Sequence, residues 1–139
     1  MKPYMSPTRV LIVDDNPMFL ELATAALLAA DYAVQTAPDA ALALLQIPVF
    51  RPDLILMDVQ MPGMDGIELT RHLKADPVTQ HIVIVAFTAF ALRGDAVKLQ
   101  AAGFNGYIGK PLNVMTLPAE IRFWLEAPAS ARGSYFVWP

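Results

Sequence analysis

The sequence predicts an α/β fold with a five-stranded parallel sheet and helices on both faces of the sheet. Short aliphatic runs alternate with helical patterns along the chain, which is typical of parallel strands joined by crossover helices. The first, third and fourth runs are almost wholly apolar, as central strands covered on both faces should be. The five predicted strands are residues 10–13, 33–36, 54–57, 82–87 and 106–108.

The first helix has the clearest sequence signals. Asn16 is a typical N-cap residue, and Pro17 takes the first helical position, where its missing N–H costs nothing. Apolar residues then recur at helical spacing as far as Ala30. This spacing predicts a helix that is buried along one stripe.

The second and third helices are shorter and are marked mainly at their starts. Residues 40–45 form the second predicted helix, after Pro38 and Asp39. Residues 66–74 form the third, with Asp65 as its N-cap. Both helices would connect one strand to the next across a face of the sheet.

The last two helices are marked by a glycine and a proline. The fourth is predicted over residues 94–102 and ends at Gly103, a plausible left-handed C-cap. The fifth should end near Glu126. Because Pro118 cannot donate a backbone hydrogen bond, the fifth helix should start late or bend at this residue.

Length, charge and cysteine content exclude several classes of protein. The chain has 139 residues, which suits one domain with a hydrophobic core of its own. It has no cysteine, so disulfides and thiolate metal sites are excluded. The net charge is −3 and no Lys/Arg cluster occurs, so nucleic acid is not an expected partner. No segment resembles a signal peptide or a membrane anchor, so we expect a cytoplasmic protein without a membrane partner.

The composition is unusually apolar. Hydrophobic residues make up 55% of the chain and charged residues 17%, below the usual value of about 25%. This excess predicts either apolar surface left for a partner or a large core under an alanine-rich surface. The sequence leaves both interpretations open.

Three aspartates follow predicted strands. Asp14 and Asp15 end the first strand, and Asp58 ends the third. They would meet at the carboxyl edge of the sheet, where open α/β folds place their sites. Grouped carboxylates repel each other unless a cation offsets their charge, and hard oxygen ligands favour Mg²⁺, with Mn²⁺ as a substitute. A single aspartate here would more simply cap a loop, but the trio favours a metal site.

Two further side chains are predicted at the same edge. Thr88 follows the fourth strand and Lys110 follows the fifth. A lysine ammonium suits phosphate oxygens, and a threonine hydroxyl can donate one hydrogen bond to them. Taken singly, Thr88 would be an ordinary strand-end hydroxyl and Lys110 a solvated charge.

These acids, the hydroxyl and the ammonium, in this order, resemble the signature of receiver domains of two-component response regulators. The segments LIVDDNP, PDLILMDVQMPGMDG and GYIGKP carry the resemblance, and AFTAFALRGD is similar to single-domain receivers of the DivK type. The resemblance covers residues 9–126 and leaves residues 1–8 as an N-terminal extension and 127–139 as a C-terminal tail. It implies the flavodoxin-like, doubly wound (βα)5 receiver fold with strand order 2-1-3-4-5.

The resemblance also implies the chemistry of the site. Asp58 would accept a phosphoryl group from a phosphohistidine on a histidine kinase or a phosphotransfer protein. Asp15 and Asp58 would bind Mg²⁺ directly, Gln60 through its backbone carbonyl and Asp14 through water. Lys110 would pair with the phosphoryl group, so the protein would supply positioning and charge neutralisation.

Switching is implied by the same resemblance. Thr88 would bond a phosphoryl oxygen, and the ring of Tyr107 would then move inward. The readout would involve the fourth helix, the fifth strand and the fifth helix. The bond before Pro111 would be cis. Gln60 and Phe90 would tune the lifetime of the phosphoryl group, and an apolar Phe90 predicts slow autodephosphorylation.

The expected function is that of a phosphoacceptor signalling domain rather than an enzyme. It would act on effector proteins in trans, without a DNA-binding output domain, and a homodimer through the fourth and fifth helices is conceivable. His72 and His81 are expected to be solvated. One alternative is a receiver fragment of a larger regulator or hybrid kinase. A remote one is an Mg²⁺-dependent aspartate-nucleophile phosphohydrolase of the haloacid dehalogenase type, but Gln60 stands where that family needs a second aspartate.

Overall fold

The computed structural model describes residues 7–61, 63–88 and 93–127. Strands and helices alternate along these residues, as the sequence predicts. The strands are β1 (Arg9–Val13), β2 (Ala33–Ala37), β3 (Leu54–Asp58), β4 (Val83–Thr88) and β5 (Gly106–Gly109). The helices are α1 (Pro17–Ala29), α2 (Ala40–Phe50), α3 (Gly66–Ala75), α4 (Arg93–Ala102) and α5 (Leu117–Glu126).

The five strands form one parallel sheet of order β2-β1-β3-β4-β5, which confirms the predicted topology. The three aliphatic strands β1, β3 and β4 lie in the middle. All residues of β3 and β4 are buried, and so are all residues of β1 after Arg9. Since parallel strands share one direction, their carboxyl ends meet at one edge of the sheet, here called the carboxyl edge, and their starts meet at the amino edge.

Helices cover both faces of the sheet and divide the core into two clusters. On one face α1 and α5 pack against alternate strand residues such as Ile12, Leu56 and Val85. On the other face α2, α3 and α4 pack against the intervening residues such as Leu11 and Ile55. The alternation of side chains along a strand therefore divides the buried hydrophobic residues of the central strands between the two clusters.

The predicted helix caps are confirmed at α1 and α3. The Asn16 side chain accepts hydrogen bonds from the backbone N–H groups of Met18 and Phe19, at 3.0 and 3.2 Å. Asp65 accepts one from the backbone N–H of Glu68 at 2.9 Å. These bonds satisfy donors that the first helical turn leaves free.

The predicted end of the second helix is wrong. Instead of stopping at Leu45, α2 continues to Phe50 and contains Pro48. Proline removes one backbone donor from a helix interior, but Pro48 is exposed, and its neighbour Ile47 is buried in the core. Packing of Ile47 outweighs the lost bond, and the helix ends at Phe50, followed by the C-cap Arg51, whose φ of +53° is left-handed.

The predictions for the last two helices are confirmed. Gly103 has a φ of +106° immediately after α4, a conformation that glycine adopts without a Cβ penalty. α5 starts at Leu117, so Pro118 lies in its first turn, where no intrahelical donor is needed. The helix therefore starts late.

Within the described residues, no helix is both long enough and apolar enough to cross a membrane. Phe90, most of the proposed N-terminal extension and the tail after Ala127 lie outside the described residues. The proposed limits of the domain at residues 9 and 126 stay a prediction.

Candidate functional site

Three carboxylates converge at the carboxyl edge, between β1 and β3. Val13 pairs in register with Met57, so Asp14 and Asp58, the residues that follow them, come to lie side by side. One oxygen from each of Asp14, Asp15 and Asp58 lies within 4.8 Å of the others. Asp14 and Asp58 are buried, whereas Asp15 is exposed. The structure thus brings together the three acids that the sequence singled out.

Local backbone contacts hold two of the acids in place. Asp14 Oδ1 accepts a hydrogen bond from the Asn16 N–H at 2.9 Å, and Asp58 Oδ1 accepts one from the Gln60 N–H at 3.3 Å. Gly66 begins α3 directly against the backbone carbonyl of Asp58, where any Cβ would collide with that oxygen. A glycine at this position therefore lets the helix start close to the acid.

Burial dominates the electrostatics of the site. It raises the pKa of Asp14 from 3.8 to about 6, and repulsion from the neighbouring carboxylates of Asp58 and Asp15 adds to the rise. Burial also raises the pKa of Asp58, although the Lys110 ammonium opposes this effect. Ionising both buried acids at neutral pH therefore costs free energy that a cation would offset.

The donor set fits a hard divalent cation. Asp14 Oδ2 is buried and accepts no hydrogen bond from the described part of the chain. A buried carboxylate oxygen without a partner is costly, and here it belongs to a cluster of three carboxylates with no sulfur ligand. Oxygen-only sites of this kind favour Mg²⁺ and Mn²⁺. The residues present therefore suit the metal that the sequence predicts.

Lys110 brings one positive charge to the acids. Its Nζ lies 3.4 Å from Asp58 Oδ1 and 5.1 Å from the centre of the Phe87 ring. The peptide bond between Lys110 and Pro111 is cis, as the resemblance predicted. The Phe87 ring in turn stacks on Phe19 of α1, with 4.3 Å between the ring centres. The lysine thus lies over an aromatic pair that faces its ammonium.

Thr88 and Tyr107 occupy the positions expected of them. Thr88 ends β4, is buried, and accepts a backbone hydrogen bond from the Lys110 N–H at 2.8 Å. Tyr107 pairs in register with Ala86 and packs, partly buried, against the cluster that contains α3 and α4. Burial raises the pKa of Tyr107. Their roles in switching stay predictions.

Of the remaining predicted residues, three are exposed and one, Phe90, is not among the described residues. Gln60 is exposed beside Asp58, and His72 and His81 are exposed, which confirms that both histidines are solvated. Phe90 lies outside the described residues. Its effect on the phosphoryl lifetime, like that of Gln60, stays a prediction.

An apolar cavity opens beside the acids. It has a volume of about 440 Å³ and lies between the start of α1 and the residues after β5. Asp14, Asn16 and Lys110 form its polar side, and Met18, which also lines it, is 71% exposed. The apolar lining consists of Met18, Phe19, Leu22, Phe87, Pro111 and Leu112.

Two residues of the site were not identified from the sequence. Phe87 was assigned only to a buried strand, because the sequence gives no sign that Lys110 lies over its ring. Gly66 was assigned only to the start of a helix. Its position one residue after Asp65 and eight after Asp58 was a usable signal, because a glycine where a helix begins next to a site often permits close approach of two backbones.

Comparison with known proteins places this geometry in a family. A model of the response regulator receiver domain matches residues 10–122. The polar-differentiation response regulator DivK of Brucella anthropi is 37% identical over 119 residues, covering 86% of this chain and 97% of DivK. The response regulator PleD of Caulobacter vibrioides is 42% identical over 114 residues, covering 82% of this chain. The chain spans only 25% of the length of PleD.

Solved structures agree with this placement. The receiver domain of a sensor histidine kinase from Pseudomonas aeruginosa, with a magnesium ion coordinated in its active site cleft, superposes with a TM-score of 0.78. That domain is 32% identical in sequence, and the alignment covers 87% of this chain and 99% of the domain. The fold and the order of its strands are therefore those of a known class of signalling domain.

Proposed function

The chain belongs to the response regulator receiver domain family of two-component signalling, and on this basis we propose that Asp58 is its phosphoacceptor. The donor would be a phosphohistidine on a histidine kinase or a phosphotransfer protein. The observation that carries the proposal is the convergence of three carboxylates, within 4.8 Å of one another, at the end of β1 and β3. Asp58 alone among them contacts the Lys110 ammonium.

The transfer would exchange one bond to phosphorus for another. A carboxylate oxygen of Asp58 attacks the phosphorus atom, an O–P bond forms, and the N–P bond to the donor histidine breaks. The electron pair of that bond returns to the imidazole nitrogen. Lys110 would balance charge on the phosphoryl oxygens, so the protein contributes mainly positioning and electrostatic stabilisation.

Asp15, Asp58 and the backbone carbonyl of Gln60 would hold Mg²⁺ directly and Asp14 would hold it through water, and Mn²⁺ could replace it. When bound, the cation offsets the negative charge of the acids and of the incoming phosphoryl group. The unpartnered Asp14 Oδ2 supports this assignment. Asp14 Oδ1 is already engaged by the Asn16 N–H, so its other oxygen is the one left for the metal shell.

Phosphorylation would be read through Thr88 and Tyr107. A phosphoryl group adds about −1.5 to −2 charges and three acceptor oxygens, and Thr88 can donate its hydroxyl to one of them. The Lys110 N–H donates a backbone hydrogen bond to Thr88, which links the ends of β4 and β5. Movement of Thr88 would therefore shift β5, which contains Tyr107. The surface of α4, β5 and α5 would then change its affinity for a partner.

Both the phosphodonor and the downstream target would be proteins. The apolar cavity beside the acids, which Met18 helps to line, is a suitable contact for the phosphodonor. The phosphorylated chain would act in the cytoplasm by binding a separate effector protein. The proposal also includes a homodimer that forms through α4 and α5. The chain covers 97% of the length of DivK but only 25% of the length of PleD. The proposal therefore concerns the receiver domain alone.

Intact-mass spectrometry tests the acceptor directly. The chain is incubated with acetyl phosphate and Mg²⁺, and we expect a single phosphoryl adduct. The adduct should not form when EDTA is added before the acetyl phosphate. Asp58→Asn should abolish the adduct. Asp31→Asn is the matched control, because Asp31 is exposed and its left-handed φ of +70° is one that asparagine tolerates.

An adduct of equal yield in Asp58→Asn would contradict the proposal. No adduct on wild-type protein shown to be folded would leave either strict donor specificity or a receiver that signals without phosphorylation. Phe90→Glu tests the lifetime prediction in the same assay, since a more polar side chain should admit water and shorten the half-life of the adduct. Turnover of a small phosphatase substrate would instead favour a hydrolase.

A further inference from the structure

The exposed face of α2 carries no charge and no polar side chain. Every residue of this helix except Gln46 is apolar. Gln46 faces the sheet instead, because its side-chain amide donates a hydrogen bond to the Thr36 carbonyl of β2 at 3.0 Å. The exposed residues of the helix form a surface that we call the α2 stripe, which consists of Ala41, Leu42, Leu45, Pro48 and Val49.

An uncharged face of this kind is unusual for a helix on the protein surface. On the same face of the sheet, α3 exposes Glu68, Arg71 and His72, as a surface helix normally does. A helix that is apolar on all sides is normally buried on all sides, yet Leu45 is 71% and Val49 85% exposed. The stripe therefore favours the first interpretation of the apolar composition, that surface is left for a partner.

The stripe has the shape of a helix-pairing surface. At about 100° per residue its five members fall within about 120° of the helix circumference. Leu42, Leu45 and Val49 are spaced by three and then four residues, as in the seam of a coiled coil. Exposed apolar residues lie three and four positions before Leu45 and again three and four positions after it. The stripe is therefore similar in both directions along the helix, so a second α2 in antiparallel orientation can pack against it.

Opposite charges flank the stripe at equal distances from its centre. Asp39, the N-cap of α2, precedes Leu45 by six residues, and Arg51, the C-cap, follows it by six. In an antiparallel pair centred on Leu45, Asp39 of one copy comes level with Arg51 of the other at both ends of the contact. The helix dipoles support the same arrangement, because the positive end of one helix then lies beside the negative end of the other. The α2 surface is thus complementary in charge to a second copy of itself, although the net charge of the chain is −3.

We propose that the α2 stripe pairs with the α2 stripe of a second copy of the chain, in an antiparallel dimer with two-fold symmetry. Leu45 lies at the axis and contacts Leu45 of the second copy. Because the stripe is far smaller than the roughly 20–30 residues per side of a stable complex, the dimer should be weak, with a Kd on the order of 100 µM. α2 packs against β1 and β2, at the end of the sheet farthest from β5. The contact therefore differs from the proposed dimer through α4 and α5, and it does not depend on phosphotransfer.

Sedimentation equilibrium of the full chain tests this dimer. From about 10 µM to about 1 mM protein, without Mg²⁺ or acetyl phosphate, we expect a reversible equilibrium between monomer and dimer. Leu45→Lys and Leu45→Glu should each raise the Kd at least about tenfold, because like charges then meet at the axis. An equimolar mixture of these two variants should dimerise again, because the introduced ammonium then faces the introduced carboxylate.

Leu28→Lys is the matched control, because Leu28 is also an exposed leucine, 53% accessible, but lies on α1 at the other face of the sheet. It should leave the Kd unchanged, and circular dichroism checks that each variant is folded. Arg51→Asn tests the ends of the contact, since asparagine tolerates the left-handed φ of +53° at this position. It should raise the Kd on the order of fivefold through the loss of two exposed ion pairs. An unchanged Kd would contradict the antiparallel orientation.

Several other outcomes would overturn the inference. Wild-type protein that stays monomeric up to about 1 mM would do so. Equal Kd values for Leu45→Lys and Leu28→Lys would place any dimer on another surface, such as α4 and α5. Failure of the two Leu45 variants to associate when mixed would exclude a contact of Leu45 with itself. Monomeric protein that floats with phosphatidylcholine vesicles would assign the stripe to a lipid surface instead.

Discussion

At the amino edge of the sheet the Lys74 ammonium donates three hydrogen bonds, whereas at the carboxyl edge Asp14 buries a carboxylate oxygen that accepts none from the described residues. Lys74 Nζ reaches the carbonyls of Gln80 and Ile82 at 3.1 and 2.6 Å and the Asn105 side chain at 2.9 Å. The same Asn105 oxygen accepts the Ile84 N–H at 2.8 Å. The amino edge is thus tied together by satisfied polar groups.

The carboxyl edge is built in the opposite way. Burial raises the pKa values of Asp14 and Asp58, which lie close together, and the Lys110 ammonium lies 3.4 Å from Asp58. A buried polar group that keeps its hydrogen bonds avoids the cost of lost solvation, while crowded carboxylates destabilise the fold until a cation binds. This difference indicates that hydrogen bonds at the amino edge stabilise the fold. The acids at the carboxyl edge destabilise it, and the same acids are the groups that can bind a cation.

Lys74→Met should have the largest effect on stability. The variant keeps the aliphatic stem but leaves three acceptors without their charged donor, so we expect the free energy of unfolding to fall by about 3–4 kcal/mol. Urea unfolding measures the loss. Lys98→Met, at an exposed position on α4, should change it by less than about 0.5 kcal/mol. Equal losses in the two variants would remove the contrast between the edges.

The metal-free protein should lose stability as pH rises from about 4 to 6. The pKa of Asp14 is about 6 in the folded protein against 3.8 for the unperturbed group, so the folded state holds the extra proton in this window. Its free energy of unfolding should therefore fall, on the order of 2 kcal/mol for Asp14. Asp14→Asn should flatten this dependence and raise stability at pH 7, measured by thermal unfolding in EDTA. Stability of wild type that rises across the window would contradict the account.

Binding of Mg²⁺ should restore the free energy of unfolding that the crowded acids lower. At a concentration tenfold above its Kd it should raise the free energy of unfolding by about 1.4 kcal/mol, measured against NaCl of equal ionic strength. Asp15→Asn should reduce this gain while changing the metal-free protein little, because Asp15 is exposed. A gain of the same size in Asp15→Asn would argue against the proposed ligands.

Lys110→Met should have the smallest effect on stability. Its side chain is 34% exposed and its bond to Asp58 is long, and exposed ion pairs contribute at most about 1 kcal/mol. Acetyl phosphate labelling of Asp58 should nevertheless fall, because the ammonium would act on the phosphoryl group. Unfolding and labelling measured on one sample separate these roles. A large loss of stability with normal labelling would make Lys110 a structural residue.

Local sequence patterns determined much of the fold. The aliphatic runs of β1, β3 and β4 predicted a buried centre of the sheet, because a strand covered on both faces is apolar along nearly its whole length. Asn16 and Asp65 predicted helix starts, because capping depends on a side chain and the few residues after it. The acids of the site were found for a similar reason, because Asp14 and Asp15 come just after β1 and Asp58 ends β3.

Contacts between distant residues were decided by the tertiary structure. Nothing near Pro48 predicted that α2 would continue past it, because the compensating burial of Ile47 depends on the core. Lys74 was predicted only as the last residue of the third helix, yet Asn105, 31 positions later, accepts a hydrogen bond from it. Phe87 gained its place under Lys110 only when β4 and β5 paired. Side-chain spacing and capping are properties of neighbouring residues, whereas burial and long-range hydrogen bonds exist only after the sheet has brought distant segments together.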